Sequence, residues 1–316
     1  MEKIRLGISR CLLGDPVRYD GGHKKDSYLI HTLGVYFDYV PVCPEVECGM
    51  GIPREPLRLV GDPDNPRMVT SKTYRDCTDK MRSWAKKRVR ELEKENLCGF
   101  IFKSRSPSSG MERIKVYNEK TGIPVARGTG LFAKTFMDAF PLHPVEDEGR
   151  LHDPGLRENF IERLFVFSRW RTMIAGRPRM ADLVQFHTRH KLLILSHSTE
   201  IYRALGRLTA NSSKKEIEKN FQNYQAQLMK AMKLKATVKK HANVLQHMMG
   251  YFKKKISPDE KKELVEIIEQ YRKEQIPLVV PLTLIKHYVR KYDPPYLKAQ
   301  IYLDPHPVEL KLRNHI

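Results

Sequence analysis

Residues 6–14 read Leu6-Gly7-Ile8-Ser9-Arg10-Cys11-Leu12-Leu13-Gly14. A short apolar run ends in a polar turn that carries a cysteine. The same grammar recurs twice. Tyr39 to Val42 runs into Cys43-Pro44-Glu45, and Phe100 to Phe102 runs into a turn containing Ser106-Pro107-Ser108-Ser109-Gly110. In an open α/β sheet such strand ends converge on one crevice, the usual place of chemistry. Two of these three ends deliver a cysteine and the third delivers serines.

Outward from these points, the first half alternates strands and helices. Lys3 to Ile8, Tyr39 to Cys43 and Gly99 to Lys103 read as strands. Ser27 to Leu33 reads as a short helix. Residues 49–67 are rich in Pro and Gly and read as loop. Lys72 to Glu95 reads as a long helix, with Met81, Trp84, Ala85, Val89 and Leu92 near helical spacing and Gly99 as a stop. This rhythm predicts an α/β domain with a mostly parallel sheet covered by helices. Residues 145–155 read as a linker. An all-α half follows, with helices predicted over 156–174, 180–196, 217–232, 239–254, 258–273 and 277–291. Pro258 follows Ser257, and Glu260 lies three residues after Ser257, a capping-box pattern.

Composition narrows the class. A chain of 316 residues with 41% hydrophobic content suits two packed domains. No apolar run reaches the length of a membrane span. The N-terminus lacks a secretory pattern, and five irregularly spaced cysteines do not form a disulfide framework, so a cytoplasmic setting is expected. The net charge of +20 is unevenly placed. Residues 1–150 hold 26 Lys and Arg against 21 Asp and Glu, and residues 151–316 hold 31 against 16. A basic half beside a near-neutral half points to a polyanion-binding module next to a catalytic one. A solvated lysine-rich surface is the alternative.

The cysteines alone leave several readings open. Cys11 and Cys43 at strand ends suit a metal or cluster site, a redox pair or buried core thiols. No C-x-x-C is present, which speaks against a zinc ribbon or a thioredoxin site.

The segments "SRCLLGDPVRYDGG", "PVCPE" and "KSRSPSSGMERIKVY" narrow the choice, because together they resemble the TudS-type thiouracil desulfidases over about residues 1–145. The family pattern reads S-x-C-L-L-G, C-P-E and S-P-S-C-G. The resemblance implies a [4Fe-4S] cluster held by three protein ligands, with one iron left open. By position those ligands are Cys11, Cys43 and residue 109, and residue 109 is serine here. Either the position is substituted, or the cluster is weakened or absent, or Cys48 or Cys98 supplies the third thiol. Cys77 and Cys98 read as core. Thiolates suit iron far better than a hydroxyl. The resemblance also implies non-redox hydrolytic desulfuration, of hydrolase or lyase type. Glu45, two residues after Cys43, is the candidate general base, with Glu47 as the weaker choice. Ser106 and Ser108 are candidates for a proton relay or for contact with the thiouracil ring, beside Lys103.

The second half, a helical domain expected over residues 156–316, resembles the YbgA-like domain over roughly residues 180–316, most clearly in "FHTRHKLLILSHS", "HANVLQHMMGYFKKKIS" and "YRKEQIPLVVPLTLIKHYV". The fused arrangement resembles RudS-type proteins, which implies a tRNA 4-thiouridine substrate. Desulfuration of free thiouracil or thiouridine nucleotides is an alternative, as is a catalytically silent RNA-binding protein. Basic residues at Arg169/Arg171, Arg177/Arg179, Arg189/Lys191, Lys239/Lys240 and Lys253 to Lys255 have Trp170, Phe186, Tyr251 and Phe252 as neighbours, a pattern suited to RNA. These aromatics also fit helix cores. His187, His190, His197, His241 and His247 form no recognised metal spacing.

Overall fold

The structure, a computed structural model, describes residues 2–211 and 216–315. The chain divides into two compact units, Met1–His152 and Asp153–Ile316.

In the first unit, β1 (Ile4–Ser9), β2 (Phe37–Val42), β5 (Phe100–Phe102) and β8 (Val145–Asp147) form a four-stranded sheet in the order β2-β1-β5-β8. Every pairing in it is parallel. β1 is central and buried along nearly its whole length, so it reads as a continuous apolar run rather than an alternating one. Gly7 sits opposite Phe100 in the β1–β5 pairing. A Cβ on Gly7 would lie 2.2 Å from the Phe100 ring, so no larger residue fits without displacing it. Helices α2 (Thr78–Glu93) and α3 (Leu131–Ala139) pack together. Ala85, Val89 and Leu92 of α2 and Phe132 and Phe136 of α3 meet Phe100, Phe102 and Val42 in one apolar core. The α/β expectation for this half and the helical expectation for the next are both met.

A second sheet was not foreseen. β3 (Leu57–Val60), β4 (Arg67–Thr70), β6 (Ile114–Tyr117) and β7 (Pro124–Gly128) pair in the order β4-β3-β6-β7. The β3–β4 and β6–β7 pairs are antiparallel, and β3–β6 is parallel. Residues 49–67, read as loop, therefore contain β3 and the start of β4. The Pro and Gly between them form the hairpin turn, where Gly61 has φ +87°. Helix α2 starts at Thr78 rather than Lys72. Hairpin geometry wins upstream: Cys77 N–H bonds the Met68 carbonyl at 2.8 Å, and the Thr78 hydroxyl accepts from Met68 N–H at 2.9 Å. Residues 145–155, read as linker, supply edge strand β8, whose three residues are too few to show a period. The predicted helix at 27–33 is a π-helical turn, Tyr28–Thr32, fixed by a Tyr39 hydroxyl donating to the Leu29 carbonyl at 2.7 Å.

The second unit is helical: α4 (Pro154–Ala175), α5 (Met180–His197), α6 (Thr199–Asn211), α7 (Ile217–Lys233), α8 (Val238–Gly250), α9 (Pro258–Arg272) and α10 (Val279–Tyr292). Asp153 caps α4, accepting from Leu156 N–H at 2.8 Å. The Ser257/Glu260 capping box is formed as the sequence predicts. Helix α6 was missed because Ser198, extended at φ −157°, breaks the chain for one residue only. Trp170 packs parallel to Tyr224 with ring centres 5.2 Å apart and meets the Phe186 edge at 5.2 Å. Among the described residues no helix is long and apolar enough to cross a membrane.

Candidate functional site

The C-terminal ends of β1, β2, β5 and β8 open onto one cleft of about 1270 Å³ in the first unit. Its lining includes Ser9, Cys11, Cys43, Glu45, Lys103, Ser106, Ser109 and Asp147. The three sequence segments therefore do meet. Cys11 sits in a 3₁₀ turn, Arg10–Leu13, closed by Gly14 at φ +100°. Cys43 caps a short helix, α1 (Pro44–Glu47), whose first turn presents Glu45. Residues 106–110 are clamped onto the start of α3: Leu131 N–H bonds the Pro107 carbonyl at 3.1 Å, and Phe132 N–H bonds the Ser108 carbonyl at 2.9 Å. The bare backbone of Gly130 permits this approach, since a Cβ there would lie 2.5 Å from the Ser108 carbonyl oxygen.

The two thiols are free and buried. Burial pushes Cys11 up to about 11, partly offset by Lys103. Burial and the Glu45 carboxylate push Cys43 up to about 12. Lys103 is anchored by an ion pair with Glu148, and its backbone N–H bonds the Ser9 hydroxyl at 2.8 Å. Thus Ser9, the first residue of the first motif, ties β1 to the start of the third loop.

Glu45 is the hub. Its Oε1 accepts from the Ser108 hydroxyl at 2.5 Å, and its Oε2 lies 3.6 Å from the Cys43 thiol. Ser106 and Ser108 hydroxyls lie 3.0 Å apart, and Ser106 Oγ accepts the Ser109 N–H at 3.1 Å. Ser106 and Ser109 line the cleft, whereas Ser108 is fully buried and reaches the cleft through Glu45 and Ser106. Ser108 therefore fits a relay and not a substrate contact. Glu47 is structural: its Oε1 accepts the Cys43 N–H at 2.8 Å and its Oε2 pairs with Arg88 at 3.1 Å.

Cys48 and Cys98 are not brought to this place. Cys48 donates to the Glu45 carbonyl at 3.4 Å and packs with Leu59, Met68, Cys77 and Ile114 in an apolar cluster. Cys98 precedes β5, at the strand's opposite end from the cleft, and its N–H bonds the Arg5 carbonyl at 2.8 Å. Neither thiol lines the cleft. Ser109 itself occupies the third position.

Arg54 was not anticipated. Its guanidinium lies 3.8 Å from Glu45 Oε2 and donates to the carbonyls of Val17 at 3.1 Å and Gly51 at 3.0 Å. It ties the first and second loops to the carboxylate. The cation rim was also missed. Arg10, Arg18, Lys24, Arg54, Arg58, Lys103, Arg105, Arg113, Lys115, Arg127 and Arg150 line the cleft, against Glu45, Glu55, Glu112 and Asp147. Several of these cations stand on the unforeseen second sheet, which explains why no sequence signal gathered them.

The core reading of the second unit's aromatics holds for three of the four. Trp170, Phe186 and Phe252 are core residues, and only Tyr251 is exposed. Arg169 is also internal, with Nε on His190 at 3.2 Å and Nη1 on the Pro305 carbonyl at 2.9 Å. Arg177, Arg179, Arg189, Lys239 and Lys253 to Lys255 are exposed.

Fold and cleft together define an α/β domain that presents paired thiols, a carboxylate and serines at the ends of parallel strands, followed by a helical domain. Residues 6–148 match the family model of 2-thiouracil desulfurase, and residues 191–307 match that of DUF1722, a protein family of unknown function. The chain is 33% identical over 133 residues to the uncharacterized protein YbgA of Escherichia coli (strain K12), covering 42% of this chain and 79% of that one. It is 28% identical over 151 residues to the uncharacterized protein YbbK of Bacillus subtilis (strain 168), covering 46% of this chain and 97% of that one. A solved structure titled [4Fe-4S]-dependent thiouracil desulfidase TudS is similar at 31% identity and TM-score 0.39, over 48% of this chain and 95% of that chain. The chain belongs to the YbgA family through its second half, and its first half matches the 2-thiouracil desulfurase model.

Proposed function

We propose that the first unit removes sulfur from a thiouracil base and that the physiological substrate is 4-thiouridine in tRNA. The carrying observation is the convergence of Cys11, Cys43 and Ser109 on one cleft with a Ser108-bonded Glu45. The residues fit a [4Fe-4S] cluster, with Cys11 and Cys43 as thiol donors and the Ser109 hydroxyl at the third position. Both thiols must lose protons that burial holds on them, so assembly releases protons. Bound there, the cluster would supply an iron with no protein ligand, a soft Lewis acid suited to a thiocarbonyl sulfur.

The remaining roles fall to the chain. Glu45 Oε2 loses its thiol neighbour as a donor once Cys43 is deprotonated. That oxygen then faces the cleft, steadied by Arg54, and accepts a proton from the attacking water. Ser108 holds Oε1 and orients the carboxylate. Ser106, next to it and lining the cleft, is placed to touch the base. Water adds its oxygen to the ring carbon and sulfur leaves as sulfide, so no electron is transferred. A target base inside folded RNA must leave its stack to enter.

Arg10, Arg18, Lys103 and Arg150 at the cleft pair with Asp15, Asp20, Glu148 and Glu146, while the exposed Lys115 and Arg127 on its wall support a polyanionic substrate over a neutral free base. The basic second unit supports the same partner. All five cysteines are free thiols, in keeping with a reducing cytoplasm. The test is sulfide release by reconstituted protein from thiolated tRNA and from free thiouracil at equal concentration. Preference for tRNA is expected. Turnover of the free base alone overturns the tRNA reading, and turnover of neither overturns the desulfidase reading.

A further inference from the structure

The second unit contains its own cluster of buried titratable groups. Glu158 and Glu162 lie one turn apart on α4, so both carboxylates project from the same face. They are 8% and 1% exposed. His306 comes from the chain after the 3₁₀ turn Ile301–Leu303 and is 9% exposed. One ligand atom from each of the three lies within 4.8 Å of the other two.

Acidic pairs in a core are often held only by their own ion pairs, and part of this one is. Arg313 donates to Glu158 Oε1 at 3.2 Å, to Glu162 Oε1 at 2.8 Å and to the Tyr302 carbonyl at 2.6 Å. His197 Nε2 meets Glu162 Oε2 at 3.2 Å. His315 Nε2 stands 3.5 Å from Glu158 Oε2. These contacts orient both carboxylates, as partners outside a metal's own ligands commonly do. They leave His306 unexplained. Its Nδ1 is against the Pro307 carbonyl at 3.2 Å, while Nε2 is buried with no hydrogen-bond partner among the described residues. A buried ring nitrogen left unpaired calls for a missing partner.

We propose that Glu158, Glu162 and His306 bind one first-row divalent cation, with Zn²⁺ the best match. Imidazole nitrogen with carboxylate oxygen is a donor set that Zn²⁺ takes readily, with a water as fourth ligand. Bonds of about 2.0–2.1 Å put tetrahedral ligand atoms roughly 3.4 Å apart, so each pair here closes by at most about 1.4 Å. The cation tethers the C-terminal segment to α4 and so stabilises the helical unit.

The experiment uses the full chain carrying Cys11→Ser and Cys43→Ser, which removes the thiols of the other candidate metal site. The chain is stripped with chelator, incubated with ZnCl₂ and dialysed, and zinc per chain and Tm are read. One zinc per chain and a rise in Tm of several degrees are expected, both lost in His306→Ala. If His306→Ala does not fold, Glu158→Gln, which keeps the shape and the Arg313 bond, should lower zinc retention at least tenfold. Zinc content unchanged in a folded variant, or no zinc in the parent chain, overturns the proposal. A water or a proton then fills the place beside His306.

Discussion

The Ser108 hydroxyl donates to Glu45 Oε1 at 2.5 Å, joining two loops 63 residues apart in the chain. The carboxylate is thereby fixed by the third loop while standing two residues from Cys43. Glu45→Gln keeps the shape and removes the base. Cluster iron should stay at the parent level, while sulfide release slows by about 10²–10⁴-fold. Ser108→Ala removes the orienting bond, of about 1.5–3 kcal/mol, together with the contact to the Ser106 hydroxyl, so a loss of roughly 10–100-fold is expected. Turnover within twofold of the parent in Glu45→Gln removes the base assignment.

Lys115 and Arg127 stand on opposite strands of the β6–β7 hairpin, directly paired in register, and both line the cleft. Neither belongs to the chemistry proposed for Glu45. The double variant Lys115→Glu/Arg127→Glu should weaken tRNA binding and flatten its salt dependence by about two phosphate contacts. Turnover of free thiouracil should hardly change. Equal loss on both substrates would show that the hairpin acts on the fold and not on a polyanion.

Gly7 tests the sheet. Alanine there puts a methyl group 2.2 Å from Phe100, its partner in the β1–β5 pairing. Overpacking of this sort costs about 1–3 kcal/mol, and the clash is with a ring locked among Phe102, Phe132 and Phe136. The urea midpoint should fall accordingly. A Gly7→Ala chain as stable as the parent would mean that Phe100 has another place to go.

What the sequence disclosed follows from length and period. Strands β1, β2 and β5 were visible because each runs apolar into a marked turn, and α2 because Met81, Ala85, Val89 and Leu92 repeat at helical spacing. The second sheet was hidden because its strands are four or five residues long, as in Ile114–Tyr117, and sit among Pro and Gly. The hidden sheet concealed the cation rim with it. Arg54 was invisible for another reason: its role depends on Val17, Gly51 and Glu45 meeting in space. By contrast the meeting of residues 11, 43 and 106–110 could be expected from strand ends whose position the sheet dictates, while the roles of Cys11, Cys43, Glu45 and Ser109 came from the resemblance to thiouracil desulfidases.

The helical unit should lose stability in acid. Burial holds His187 down to about 4, where Lys191 adds to the effect, and both His190 and His241 down to about 3. Arg169 and Arg189 press His190 the same way. Arg313 does so for His241, which Glu162 opposes. Each folded value lies below the unfolded value of about 6.5, so the unfolded chain takes up protons first as pH falls. The stability these groups contribute is intact above about pH 6.5 and is lost steadily below it. His306, held down to about 4 by burial, acts with these three, while Glu158, raised to about 8 by burial and by Glu162, works the other way between about pH 4.5 and pH 8, so the four histidines against one carboxyl set the slope. Denaturant melts should show a falling midpoint between about pH 7 and pH 5, flattened in His187→Met. A midpoint that rises over that range would show that the carboxyl dominates.

Residue 109 decides how firmly the cluster is held. Cys11 and Cys43 line the cleft as thiols and Ser109 lines it as a hydroxyl. A thiol can be deprotonated for iron near neutral pH, whereas a serine hydroxyl cannot readily be, and sulfur is the softer donor. Cys11→Ala and Cys43→Ala should each strip most of the iron from reconstituted protein. Ser109→Cys should raise iron per chain and slow its loss to a chelator, without any change in fold, because sulfur replaces oxygen at a position already buried against the loop. Cys48→Ala and Cys98→Ala should leave iron unchanged, since one packs in an apolar cluster and the other lies at the far end of β5. Iron and acid-labile sulfide per chain in these five variants separate the possibilities. Loss of iron in Cys48→Ala, with Ser109→Cys indifferent, would move the third ligand to Cys48 and require the α1 turn to reopen. Iron unaffected in all five would remove the cluster from this cleft.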